Sequence, residues 1–371
     1  MSCPGIPELA YSEFGELLKQ RIGGKRFPLS GSLEMTLQCN LRCKHCYLDG
    51  VHDGIPGEVE LSTEEWYGIL DQLVEAGTLW LLMTGGEPFV RSDFLDIYTY
   101  AKRKGFLITI FTNGTMITPE VADYLAAMPP LSIEISVYGR TQETYERVTG
   151  IPGSHARCMR GIELLLERGL PLSLKTVVMT LNRDEFFDIK AWADELGVDF
   201  RFDASLFGGM GDTEPPKYRL SPEEVLKIEL AYPGLIEELQ AAHELFQPGV
   251  SAADSDRLYV CGAGLQSFHL DPFGRLNLCL LSRHPEYSLR TGAFREGWKV
   301  ALPAARDRLA SPDYACRDCR LRALCGSCPG KNELESGDPE CGVSYLCTLA
   351  HLHESAFQQQ AAAQQPEQYS M

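Results

Sequence analysis

Met35-Thr36-Leu37-Gln38-Cys39-Asn40-Leu41-Arg42-Cys43-Lys44-His45-Cys46-Tyr47 carries a short apolar run straight into three cysteines spaced C-x3-C-x2-C. Three thiolates on one short loop can hold three irons of a [4Fe–4S] cluster and leave the fourth iron open to a ligand. An open iron is what a cluster needs if it is to act on a bound molecule. A structural zinc site is the alternative, but such sites are closed, four-coordinate and usually built from cysteine pairs. The run at 33–38 reads as a strand that ends at this loop.

Outward from the loop, further strand candidates lie at 79–84, 106–112, 131–137, 172–179 and 199–203, with helix patterns between them. Ser62 and Glu65 form a capping box ahead of a helix that Gly77 stops. Ser221-Pro222-Glu223-Glu224 opens another by a cap and a first-turn proline, running to about 245 after a loop at Gly208 to Pro216. Alternating strands and helices predict an α/β fold with a parallel sheet. Six units are too few for a closed eight-stranded barrel, so a partial (βα)6 barrel is expected. Thr84-Gly85-Gly86-Glu87-Pro88 ends the second strand. Its two glycines permit unusual backbone angles and close approach to a ligand. It opens at the same C-terminal mouth as the cysteine loop, where active sites of such folds gather.

The chain has 371 residues and 13 cysteines. Three cysteines lie at 39–46 and eight at 261–347, which leaves only Cys3 and Cys158 outside the clusters. Nothing suggests secretion or a membrane span, so metal or redox roles outweigh disulfides, and a cytoplasmic location is expected. A net charge of −17 disfavours nucleic-acid binding. The expected organisation is an N-terminal extension (1–30), the barrel (31–245), a small irregular cysteine-rich domain (246–355) and a disordered tail (356–371).

The cysteine loop together with the Gly85-Gly86-Glu87-Pro88 segment resembles the radical S-adenosylmethionine (SAM) superfamily. The resemblance implies that Cys39, Cys43 and Cys46 hold the catalytic cluster. It also implies that the backbone of Gly85, Gly86 and Glu87 meets the amino group of SAM. Ser136, ending the fourth strand, stands where relatives bind the ribose. Arg147 suits the SAM carboxylate, since guanidinium matches planar carboxylates. Tyr47 stands near the expected adenine site, and Thr112-Asn113-Gly114 closes the third strand at the same mouth. The implied chemistry is reductive cleavage of SAM to a 5′-deoxyadenosyl radical that removes hydrogen from an unactivated C–H bond, the protein contributing positioning and exclusion of water.

The C-terminal cysteines run Cys261, Cys279 (five residues after Gly274), Cys316-x2-Cys319-x5-Cys325-x2-Cys328, Cys341 and Cys347. This resembles the SPASM domain of peptide- and protein-modifying radical SAM enzymes, which holds two auxiliary [4Fe–4S] clusters. Relatives usually place three residues between the last two cysteines of the central run, and this chain places two, Gly326 and Ser327. Carried over, Cys316, Cys319, Cys325 and Cys347 would ligate the distal cluster, and Cys261, Cys279 and Cys328 the nearer one. Cys341 or an open iron would complete the nearer set. Paired zinc ribbons are the alternative.

The layout implies a maturase acting on a ribosomally synthesised precursor peptide: thioether or C–C crosslinking, epimerisation or backbone excision. Anaerobic formylglycine formation on a sulfatase is an alternative, for which Asp254, Asp256 and Asp271 offer no convincing base. A non-catalytic multi-cluster electron carrier is the other. No catalytic acid or base is assigned. The expected partners are the precursor peptide, a reductant such as flavodoxin or ferredoxin, and a separate small leader-peptide recognition protein. That last expectation arises because Glu13 to Arg21 supports only one short helix ahead of the barrel, too little for a leader-binding module with its own core.

Overall fold

The computed structural model describes residues 11–48, 50–210, 217–246, 256–322 and 324–364. Cys3, Asp254, Gly211, Pro215 and Pro216 lie outside these residues. Helix α1 (Tyr11–Ile22) leads into β1 (Ser30–Glu34). Regular alternation follows: α2 (Thr63–Ala76), β2 (Trp80–Thr84), α3 (Phe94–Arg103), β3 (Leu107–Thr112), α4 (Pro119–Ala127) and β4 (Ser132–Ser136). The pair α5 (Gln142–Thr149) and α6 (Ser154–Glu167) then precedes β5 (Leu172–Val177), α7 (Phe186–Leu196) and β6 (Asp199–Asp203). Both expected capping boxes form, at Ser62 with Glu65 and at Ser221 with Glu224, and Gly77 ends α2 in the left-handed conformation.

Strands β1 to β6 are all parallel in the order 6-5-4-3-2-1, and the sheet does not close on itself. It is the expected partial barrel. The apolar core lies outside the sheet, where Leu33, Met83, Ile108, Ile110, Ile133 and Ile135 meet the helices. The inner face is polar. Phe111 on β3 pairs in register with Glu134 on β4, and Lys175 on β5 pairs with Ser136 and Arg201 on its two sides. A barrel interior lined this way is a site rather than a core.

The structure corrects four expectations. The first strand is Ser30–Glu34 instead of 33–38. Its Ser-Gly-Ser start carries little strand propensity, yet a side chain at Gly31 would come within 2.4 Å of the Phe268 ring, so tertiary packing selects the strand. The region after 250 is less irregular than expected: β7 (Ser267–Leu270) pairs in parallel with β1, and β8 (Arg275–Asn277) and β9 (Tyr287–Ser288) extend the sheet antiparallel. The single helix expected to about 245 is two, α8 (Pro222–Ala231) and α9 (Leu235–Phe246), parted at Pro233 and left-handed Gly234. After the short α10 (Phe294–Glu296), α11 (Leu302–Arg306) and α12 (Pro329–Ser336), helix α13 (Ser344–Gln364) carries the chain well into the tail expected to be disordered.

Candidate functional site

The cysteine loop follows β1 at the C-terminal mouth of the barrel. Arg42 and Lys44 donate their backbone amides to Thr149 and Val148, which pins the loop on the end of α5. Past β1 the backbone continues beside the glycine pair. Gly86 donates to the Thr36 carbonyl and Glu87 to the Gln38 carbonyl, each at 2.8 Å. A side chain on Gly86 would meet the Gln38 oxygen at 2.2 Å, and one on Gly85 the Thr36 oxygen at 2.4 Å. Glycine is required here by the cysteine loop's own backbone, a reason the sequence did not reveal. Glu87 is fully buried and accepts from Thr112 Oγ1, the Asn113 amide and the Phe89 amide. Burial raises its pKa to about 7 against those hydrogen bonds. Asn113 in turn reaches Asn40 at 2.9 Å and Cys39 Sγ at 3.9 Å. Strands β2 and β3 are thereby tied to the loop.

The three thiols are mutual neighbours: Cys39 and Cys46 both act on the charge of Cys43, and desolvation pushes Cys39 up to about 11 and Cys43 well above its ordinary value. Thiols so placed do not ionise alone, and a bound cationic cluster would supply the missing charge. Among the described residues no three Cys, His, Asp or Glu converge tightly enough to share one metal ion. A cube whose irons each take one thiolate asks for the wider spread that a single tetrahedral ion does not. His45, which the sequence did not single out, has a buried Nδ1 without a hydrogen-bond partner, and its ring meets Tyr138 edge-on at 4.6 Å. Burial lowers its pKa to about 4, so the ring is neutral at pH 7. An orphaned polar atom beside the thiols fits a cavity made for a ligand.

The remaining predicted contacts separate. Ser136 ends β4 beside the Tyr138 hydroxyl. Arg147 lies exposed on α5, donating to the Leu181 carbonyl at 2.6 Å. Tyr47 is half-buried and donates to Glu34 at 2.8 Å. Glu34 is the unforeseen centre of the mouth: it is fully buried, takes both terminal nitrogens of Arg283 at 2.9 and 3.2 Å, and has His269 Nε2 at 3.6 Å. Burial alone would raise its pKa, but His269 and Arg283 overcome this and hold it at about 2. The network joins β1, the cysteine loop and the segment after Cys279. Asp271 is occupied by the amides of Phe273 and Arg275, and Asp256 by Arg317.

The C-terminal thiols fall into two neighbourhoods. Cys325 has Cys347, Cys316 and Cys319 around it, while Cys279 has Cys328 and Cys261. A hollow of about 160 Å³ is lined by Cys261, Cys316, Cys319, Cys325, Cys328 and Cys347. Cys341 is exposed and does not line that hollow, although a side chain on the next residue, Gly342, would meet Cys316 Sγ at 2.9 Å.

Fold and site together define an iron–sulfur enzyme built on an open parallel barrel, and the comparisons agree. Residues 33–193 match the Radical SAM superfamily. Mycofactocin maturase MftC of Mycobacterium ulcerans (strain Agy99) is 31% identical over 346 residues, spanning 89% of this chain and 92% of that protein. The AdoMet-dependent heme synthase of Methanosarcina barkeri (strain Fusaro / DSM 804) is 33% identical, but over 165 residues, 44% of this chain and 47% of that one. Streptococcus suis SuiB bound to S-adenosylmethionine superposes with a TM-score of 0.70 at 16% identity, covering 93% of this chain and 84% of that one. SuiB bound to precursor peptide SuiA gives 0.67. At that identity the likeness is one of fold. The chain belongs to the Radical SAM superfamily, in the maturase family that MftC represents.

Proposed function

We propose that this chain is a radical SAM maturase that abstracts hydrogen from a ribosomally made precursor peptide. The observation that carries this is the likeness to MftC, a maturase, over 89% of the chain, whereas the likeness to heme synthase covers 44% of it. The neighbourhoods of the cysteines support it: three at the mouth, then four and three in the C-terminal region. Cys39, Cys43 and Cys46 would hold the cluster that binds SAM, and the bound pair would supply the radical. Cys316, Cys319, Cys325 and Cys347 would hold one auxiliary cluster, and Cys261, Cys279 and Cys328 the other.

The chain's own residues position these groups. Glu87 fixes the end of β3 to the glycine turn whose backbone would meet the SAM amine. Ser136 and His45 face the same mouth, for the ribose and adenine ends. For the SAM carboxylate, Lys175 is better placed than Arg147. Lys175 stands beside Ser136 in register, 17% exposed, with Glu134 at 3.9 Å and the Phe111 ring centroid at 2.8 Å. Arg147 is exposed and already held by a carbonyl. The polar inner face would receive the peptide segment beside the cluster that Cys39, Cys43 and Cys46 would hold. A low-potential reductant of the flavodoxin or ferredoxin class and a separate leader-binding protein complete the proposal.

The test replaces Cys39, Cys43 and Cys46 by Ala. SAM cleavage to 5′-deoxyadenosine should be lost while about eight irons per chain remain. Persistent cleavage would refute the assignment. Incubating the precursor with SAM and reductant, with and without the leader-binding partner, tests the substrate.

A further inference from the structure

The loop Cys325-Gly326-Ser327-Cys328 joins the two C-terminal neighbourhoods, since Cys325 belongs to the group of four and Cys328 to the group of three. Lys331, in the first turn of α12, folds back over this loop. Its ammonium donates to the Gly326 carbonyl at 2.7 Å and lies 3.7 Å from where a Gly326 side chain would begin. The Phe207 ring centroid is 3.8 Å from the same nitrogen. Cys328 and Cys325 both stand near enough to act on its charge, as do Asp203 and Glu335. Cys328 is also the N-cap of α12, so the positive end of that helix lies at the same thiol.

We propose that Lys331 is a redox-positioning residue, a fixed positive charge between the two auxiliary clusters that raises the reduction potential of both. The proposal rests on reading these cysteines as ligands of two [4Fe–4S] clusters. A cluster held by thiolates gains one negative charge when its core passes from 2+ to 1+. A cation a few ångströms away stabilises the reduced form more than the oxidised one, with little screening in a half-buried site. The electron comes from the substrate radical, which is thereby oxidised. It leaves to a low-potential flavin or iron–sulfur carrier protein. Lys331 favours the first transfer by making the clusters better acceptors. The two-residue spacing of Cys325 and Cys328 keeps both within reach of one ammonium.

The experiment is a redox titration, followed by electron paramagnetic resonance, of the anaerobically reconstituted full-length enzyme, with Lys331→Gln and Lys331→Arg beside the native chain. Glutamine can still donate to the Gly326 carbonyl but carries no charge, which separates electrostatics from strapping of the loop. In Lys331→Gln both auxiliary clusters should reduce less readily. Their reduced-to-oxidised ratio at fixed potential should fall about tenfold, about 59 mV for one electron. Lys331→Arg should stay near the native values, and the cluster at Cys39, Cys43 and Cys46 should not move. Native midpoints in Lys331→Gln at full iron content would overturn the proposal, as would iron loss in that variant, which would make Lys331 a strap. About four irons per native chain in place of about twelve would instead overturn the cluster assignment beneath it.

Discussion

Replacing Glu34 by Gln removes the carboxylate that takes both terminal nitrogens of Arg283 and faces His269 Nε2. The carboxyl ordinarily titrates at 4.5 and here at about 2. At about 1.4 kcal/mol per factor of ten in proton affinity, its charge contributes about 3 kcal/mol at neutral pH. That matches the cost of breaking a buried ion pair by removing one partner. Because the folded pKa is depressed, the contribution is complete above the ordinary value of 4.5 and is lost as pH falls through about 2. With an unfolding entropy near 2.1 cal/mol/K per residue, a loss of that size lowers Tm by about 4 °C. The assay is calorimetry of the anaerobic enzyme and Glu34→Gln at pH 7 and pH 3. The deficit should shrink by more than half at pH 3. A shift below about 1 °C at pH 7, or a deficit that does not shrink, would refute the reasoning.

Three further outcomes are expected. Gly86→Ala drives a methyl into the Gln38 and Leu37 carbonyls, at 2.2 and 2.5 Å, so the cysteine loop must move; iron analysis should show loss of about four irons per chain with the auxiliary iron kept. Cys341→Ala should retain full iron, because Cys341 is exposed and does not line the hollow that six of the other C-terminal thiols share; loss of a cluster's iron would assign it as a ligand after all. Lys175→Met should weaken SAM binding by about tenfold or more in calorimetric titration, about 1.4 kcal/mol, while Arg147→Met changes it little; the reverse order would return the carboxylate to Arg147.

The sequence by itself determined the chemistry that depends on local spacing. C-x3-C-x2-C places three thiols on one loop whatever the rest of the chain does, and strict alternation of strands and helices leaves few options but a parallel sheet. Helix starts at Ser62 and Ser221 were legible because a capping box closes within four residues. Tertiary structure decided what depends on partners far along the chain. β1 begins at Ser30 because Phe268, more than 200 residues later, packs on Gly31. β7 to β9 belong to the sheet because β1 offers an edge that no local pattern near residue 267 announces. Glu34, an isolated acid in sequence, meets Arg283 across 249 positions. Lys331 gains its place between two cysteine groups only when the chain brings Phe207 and the Cys325–Cys328 loop together. Spacing fixes which donors share a loop, while burial and charge pairing, which need the whole fold, fix what surrounds them.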